Sequence, residues 1–134
     1  MSYPSPYIIE FGKIGESAIG YITVAENNQL PFTVQRIFWT YYTPESITRG
    51  RHAHHQTEQV LIAVSGKIIV STENALGEKK RFTLESPQQG VYIPPNVWHT
   101  MEYSHNAVQL ALASTPYHAS DYIRDKEEFL TRWR

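Results

Sequence analysis

The stretch Arg49-Gly50-Arg51-His52-Ala53-His54-His55 packs three of the chain's six histidines into four positions, just behind two arginines. On an extended strand, alternate residues share a face, so His52 and His54 point one way while Ala53 and His55 point the other. Two imidazoles on one face suit either a metal site or an acid/base pair. The sequence around them predicts the scaffold. Short runs rich in β-branched and aromatic residues (YIIEF, GYITV, TVQRIFWTYY, EQVLIAVSG, KIIVST, RFTL, GVYI, HTMEY and VQLALAS) recur between turn residues along the chain. This pattern predicts an all-β protein, a sandwich or barrel of antiparallel strands. Gly66 predicts one tight hairpin and Asn74 to Gly77 a second. Pro94-Pro95-Asn96 breaks the strand ahead of Trp98 and His99 and predicts a turn that presents His99.

The last segment differs in kind. In RDKEEFLTRWR, Asp125 can cap a helix with Glu128 three positions later, and Phe129, Leu130 and Trp133 share one face. A short C-terminal helix packed on the sheet is expected. With 134 residues, no internal repeat and no linker-like tract, the chain is expected to form a single domain over residues 1–134. A formal charge of −1 provides no overall basic field for nucleic acid. No apolar run approaches the ~20 residues of a membrane-spanning helix, and MSYPSPYIIEFG lacks the pattern of a secretory leader. A cytoplasmic protein with no nucleic-acid or membrane partner is expected. The absence of cysteine excludes disulfides, thiolate metal ligands and a cysteine nucleophile. Histidine chemistry remains.

His52, His54, Glu58 and, much later, His99 reproduce the ligand order of the cupin superfamily: two strand histidines, a carboxylate and a distant histidine after a proline turn. Gly50, Gly66, Gly90 and Pro94 stand where that frame has its glycines and proline. Asn96, Tyr103 and the spacing from Glu58 to Gly66 depart from it. The resemblance implies a cupin-type jelly-roll barrel. Imidazole and carboxylate together suit a first-row divalent ion with open positions for substrate, as in a metal-dependent dioxygenase. Paired histidines also line pockets that hold no metal, and the spacing leaves both readings open.

A closer resemblance covers Leu30 to Phe129. Arg36-Ile37-Phe38, RGRHAH (49–54), EQVLIAVSG (58–66), YIPPNVWH (92–99), VQLALAS (108–114) and DYIRDKEEF (121–129) are similar, in register, to the sugar 3,4-ketoisomerases. These are cupins acting on dTDP-4-keto-6-deoxy-D-glucose. The match is weaker from Tyr7 to Val24, where the family has an arginine-glycine pair and this chain has IGESAIG. The resemblance implies a homodimer with exchanged N-terminal strands, a dTDP-linked keto sugar in each barrel, and neither metal nor other cofactor. The 3-keto product would pass to an aminotransferase and an acyltransferase, supplying amino sugars for surface polysaccharide such as the O-antigen of lipopolysaccharide, or for glycosylated natural products.

The family's paired catalytic histidines fall on His52 and His54, with Glu58 supporting the pocket. Moving a ketone from C4 to C3 requires loss of the C3 proton, an enediol, and protonation at C4, so a base and oxyanion stabilisation must act together. Histidine suits the base because its ordinary pKa is about 6.5. The expectation is that His54 handles carbon-bound protons and His52 the oxygens. Arg49, the family's RG arginine, and Arg36, which shares a strand face with Phe38, are candidates for the diphosphate or the enediolate, and Arg51 is a further candidate. Either Tyr41 or Tyr42 faces the barrel, and Tyr41 is the candidate carried forward. His99 is expected to donate to O3 or O4 or to set the face on which C4 is protonated. Trp98 is expected in the core, DYIRD in a structural role, and His55, His105 and His118 at the surface. Rivals to the isomerase are the metal-dependent cupin using His52, His54, Glu58 and His99, a sugar 3,5-epimerase, and a non-enzymatic sugar-binding barrel.

Overall fold

A computed structural model describes residues 5–132. The strands are β1 (Tyr7–Glu10), β2 (Gly12–Glu16), β3 (Gly20–Val24), β4 (Arg36–Tyr41), β5 (Thr48–His54), β6 (Gln59–Ser65), β7 (Ile68–Glu73), β8 (Lys79–Leu84), β9 (Gln89–Ile93), β10 (Trp98–Tyr103), β11 (Val108–Ala113) and β12 (Tyr122–Ile123), followed by the helix α1 (Lys126–Thr131). Two five-stranded antiparallel sheets, in the orders β1-β9-β6-β11-β4 and β12-β5-β10-β7-β8, face each other, and β2 pairs with β3 as a separate hairpin. This is the expected cupin-type jelly roll.

Alternation explains the layering. In β7 every other residue is buried, so Ile68 and Val70 enter the core while Ile69 and Ser71 stay half-buried. Between the sheets, Ile68 and Val70 meet Leu61, Leu84, Val91, Ile93 and Met101. The outer face of the first sheet carries a smaller cluster, Phe11, Val60, Ile62 and Leu112, covered by Leu30, Phe32 and Val34 from the β3–β4 connection. At the end of the second sheet, Trp98 and Ile123 close over Phe129 of α1. Asp125 caps that helix, its carboxylate accepting from the Glu127 N–H, as the sequence pattern requires. Trp133 lies outside the described residues.

The predicted Gly66 hairpin does not form. β6 pairs with β9 and β11, whereas β7 pairs with β10 and β8, so the turn at Gly66 carries the chain from one sheet to the other. Alternation cannot distinguish a hairpin from a sheet-crossing turn, because both reverse the chain between two half-buried strands. The Asn74–Gly77 turn does join paired strands, and the Asn74 carboxamide oxygen accepts from the Leu76 and Glu78 N–H groups.

Candidate active site

β5 and β10 run antiparallel, with His99 opposite His52. One step along, Thr100 faces Gly50, so Arg51 has no partner and forms a β-bulge. Gly50 (φ 87°) and Arg51 (φ 57°) both adopt left-handed backbone there. The bulge has a direct consequence for the site. Arg49 and His52 are three residues apart and would face opposite ways on a regular strand, yet both line the same cavity. Arg51 absorbs the extra step and is exposed, outside the cavity wall.

The cavity, about 250 Å³, lies between the sheets and is lined by Arg49, His52, Gln59, His99, Tyr103, Gln109, Tyr122 and Arg124, with Phe38 and Thr40 from β4. Among the described residues no carboxylate lines it. Its size suits a sugar ring rather than a whole nucleotide sugar. A larger hollow of about 650 Å³ lies elsewhere, between the β2–β3 hairpin and the outer face of the first sheet; its walls, Leu30, Ile37, Val64 and Leu110 among them, carry no histidine.

Three imidazoles converge on the site, with ring centroids 4.8 Å apart for His52–His54, 4.6 Å for His52–His99 and 5.8 Å for His54–His99. Two are oriented by main-chain oxygens: His52 Nδ1 lies 3.0 Å from the Gly50 carbonyl and His99 Nδ1 lies 3.1 Å from the Val97 carbonyl. A carbonyl only accepts, so each Nδ1 carries the hydrogen and each neutral Nε2 presents a lone pair. The Nε2 atoms of His54 and His99 are buried without a hydrogen-bond partner among the described residues. His54 does not line the cavity; its ring lies against His52 and, at 4.5 Å, against Tyr122.

Burial holds all three histidines neutral. It lowers the pKa of His52, against the raising effect of the Gly50 carbonyl, and Arg124 lowers it further. His54 is lowered to about 3, chiefly by burial, with His52, Arg36, Arg124 and His55 adding repulsion. His99, 1% exposed, lies well below the ordinary value, again by burial first and then by its two histidine neighbours. Tyr103, whose hydroxyl donates to Gln109, is raised to about 12 by burial, with Arg49 and Gln109 opposing.

Several expected site residues lie elsewhere. Arg36 does not line the cavity; it stands beyond Tyr122, its Nη1 3.4 Å from the Tyr122 hydroxyl and its guanidinium over the Phe38 ring. Tyr41 is 53% exposed, on the outer row of β4 with Ile37 and Trp39, and Thr40 takes the inward place. Strand alternation from Arg36 and Phe38 dictates this: even-numbered positions face inward, so Tyr41 is corrected to an outer-face residue. Tyr42, in left-handed backbone and more exposed still, does not replace it. Glu58 likewise turns away. Gln59 faces the cavity, and the Glu58 carboxylate accepts a 2.6 Å hydrogen bond from Tyr92 on the other side of β6. The four-ligand metal set of the rival reading is therefore incomplete. His52, His54 and His99, whose nearest nitrogens fall within 4.8 Å of one another, are the residues that would hold a divalent ion, which there would polarise a ketone oxygen.

Sequence reasoning missed Gln59, Gln109, Tyr122 and Arg124. Alternation from Leu61 flags Gln59, whereas DYIRD was read as structural. That reading fits Asp121, whose carboxylate accepts from the Gln56 N–H, the Thr57 N–H and the Thr57 hydroxyl. Tyr122 and Arg124, however, line the cavity.

A double-sheet barrel with convergent histidines and cationic walls defines the chain as a cupin-type small-molecule protein. More narrowly, residues 5–134 match the family model described as FdtA: WxcM-like, C-terminal, and the chain belongs to that family. It is 37% identical over 125 residues to the TDP-4-oxo-6-deoxy-alpha-D-glucose-3,4-oxoisomerase of Aneurinibacillus thermoaerophilus, covering 91% of this chain and 88% of that one. A 3,4-ketoisomerase from Helicobacter canadensis superposes with a TM-score of 0.88 at 35% identity, covering 96% of both chains. A variant of QdtA, a 3,4-ketoisomerase from Thermoanaerobacterium thermosaccharolyticum in complex with TDP-4-keto-6-deoxyglucose, superposes with a TM-score of 0.89 at 32% identity, covering 97% of this chain and 94% of that one.

Proposed function

We propose that the protein is a TDP-sugar 3,4-ketoisomerase, converting TDP-4-keto-6-deoxyglucose to the 3-keto isomer through an enediol. The observation that carries this reading is the meeting of two neutral imidazoles, His52 and His99, their Nε2 lone pairs facing inward, with Arg49 and Arg124 in a cavity that no carboxylate lines among the described residues. Such a site offers bases at neutral pH and cations for an enediolate or a diphosphate.

Of the two cavity-lining imidazoles whose Nδ1 is held by a carbonyl, His52 is half-buried whereas His99 is 1% exposed, and His52 takes the C3 proton and returns it to C4. This differs from the role expected from sequence: His54 lies outside the cavity lining, and its ring backs His52 and Tyr122. His99, with Nδ1–H already committed to Val97, accepts from a sugar hydroxyl and does not donate to one. Arg49 and Arg124 hold negative charge.

A homodimer is proposed as well. Ile37, Trp39 and Tyr41 form an exposed apolar row on edge strand β4, and Ile14, Ile19, Tyr21 and Ile22 are exposed on the β2–β3 hairpin. Exposed apolar rows on an edge strand call for a partner. β1 pairs with β9 of its own chain, so the hairpin is the segment available for exchange. The proposed setting is the cytoplasm, where the 3-keto product is an aminotransferase substrate on the way to surface amino sugars.

The test is incubation with TDP-4-keto-6-deoxyglucose in deuterated water, followed by proton NMR. Isomerisation yields a 3-keto product, with deuterium at C4 to the extent that His52 exchanges its proton with solvent before returning it. Exchange at C3 and C5 with the ketone retained at C4 would identify an epimerase and overturn the reading. Prior dialysis against a chelator should leave the rate within about twofold, whereas a loss restored by one divalent ion would favour the metal-dependent reading.

A further inference from the structure

Relocating a ketone needs a proton donor at O4 as well as a base at C3, because the carbonyl oxygen becomes a hydroxyl while the enediol forms. The two imidazoles in the cavity wall do not supply one in their neutral form. His52 and His99 each spend their N–H on a main-chain carbonyl and present lone pairs to the cavity. The donor must come from another wall.

We infer that Tyr122, in the two-residue strand β12, is a catalytic residue that delivers the proton to O4. The inference rests on the isomerase reading above. β12 pairs with β5 so that Tyr122 stands opposite His54, and this brings the phenol ring edge-on to both His52, at 4.9 Å, and His54, at 4.5 Å. The ring lines the cavity. Its hydroxyl oxygen lies 3.4 Å from Arg36 Nη1, and a guanidinium only donates, so the hydroxyl hydrogen is not used in that contact and is available to a bound ligand. Arg36 thus stands at the oxygen that becomes negative when the proton leaves, and the Arg124 guanidinium lies over the ring, 4.4 Å from its centroid.

The protons balance within the site. As His52 takes the C3 proton, the C3–C4 double bond forms and O4 takes the hydroxyl hydrogen of Tyr122. As the C3 ketone forms, C4 takes the proton back from His52 and O3 returns a hydrogen to the Tyr122 oxygen. Nothing is consumed beyond the substrate.

Tyr122→Phe keeps the ring and removes the hydroxyl. The expected result is a loss in kcat on the order of 100-fold, the scale for removing one donor aimed at a developing oxyanion. KM and TDP affinity should stay within about threefold, with an increased isotope effect from C3-deuterated substrate as enolisation becomes more fully rate-limiting. A ring that serves packing alone would leave kcat and the isotope effect unmoved in Tyr122→Phe, and that outcome overturns the inference. Tyr122→Leu, which also removes the ring, should in addition displace the acid limb of the pH profile by exposing the imidazoles. If the unaltered protein forms no 3-keto product, the isomerase reading itself falls; if it does and Tyr122→Phe matches its rate, only the role of Tyr122 falls.

Discussion

Replacing Gly50 with alanine isolates what the bulge does, and Gly77→Ala is a matched control. Both glycines are left-handed, with φ of 87° and 84°. An added Cβ therefore brings the same backbone penalty at either site, about 1–2 kcal/mol. Their surroundings differ. At Gly77 nothing lies within 4 Å of the new atom, whereas at Gly50 it meets the His99 carbonyl oxygen at 2.9 Å and the Met101 side chain at 3.2 Å. The Met101 terminus can swing aside, but the carbonyl belongs to the strand opposite, so overpacking adds about 1–3 kcal/mol at Gly50 alone. With a urea slope of about 2 kcal/mol/M, Gly50→Ala should unfold roughly 0.5–1.5 M earlier than Gly77→Ala. The same carbonyl shift displaces His99, and the Gly50 oxygen anchors His52 Nδ1, so kcat/KM for isomerisation should fall at least about tenfold in Gly50→Ala and stay unchanged in Gly77→Ala. Coincident urea midpoints, or full activity in Gly50→Ala, would refute the claim that a tight bulge positions the site.

Arg49→Ala should lower kcat/KM by about 10- to 100-fold through loss of a charge-assisted contact, while Arg51→Ala should stay within about threefold; equal effects would contradict the face assignment. A folded pKa of about 3 for His54, against 6.5 unfolded, means that its stabilising contribution is complete above pH 6.5 and declines as pH falls towards 3. His54 alone should thus cost about 2 kcal/mol between pH 6.5 and 5, read from urea unfolding at each pH, and His54→Asn should flatten that slope. Because the free imidazoles have lowered pKa values and a diphosphate raises them, the acid limb of kcat/KM should lie below that of kcat. Asp121→Ala leaves the Gln56 and Thr57 N–H groups short of an acceptor and the Thr57 hydroxyl with Thr115 alone, and should cost about 2–3 kcal/mol in unfolding experiments.

The parts of this molecule legible in sequence are those governed by local periodicity. Alternating apolar residues yield the strands and the sheet faces, and with them the shared side of His52 and His54 on β5; carried on from Arg36 and Phe38, the same alternation puts Tyr41 outside, against the inward place expected for it. What escapes is what two distant segments decide together. Gly66 turns into a crossing because β10 and β11 compete for the strands on either side of it, and nothing within residues 58 to 73 records that competition. Arg49 shares a face with His52 only because Arg51 is skipped by the register with β10, and a parity count along β5 alone puts it on the wrong side. Glu58 shows the converse. A ligand order read from residue types counted it with the histidines, yet Gln59 alternates into the cavity and Glu58 cannot follow it. Tyr122 is the extreme case, since its chemistry exists only where a two-residue strand meets the end of β5. In this barrel the proposed base belongs to a strand and is visible in its periodicity, whereas the proposed proton donor belongs to a junction, which only the meeting of two distant segments creates.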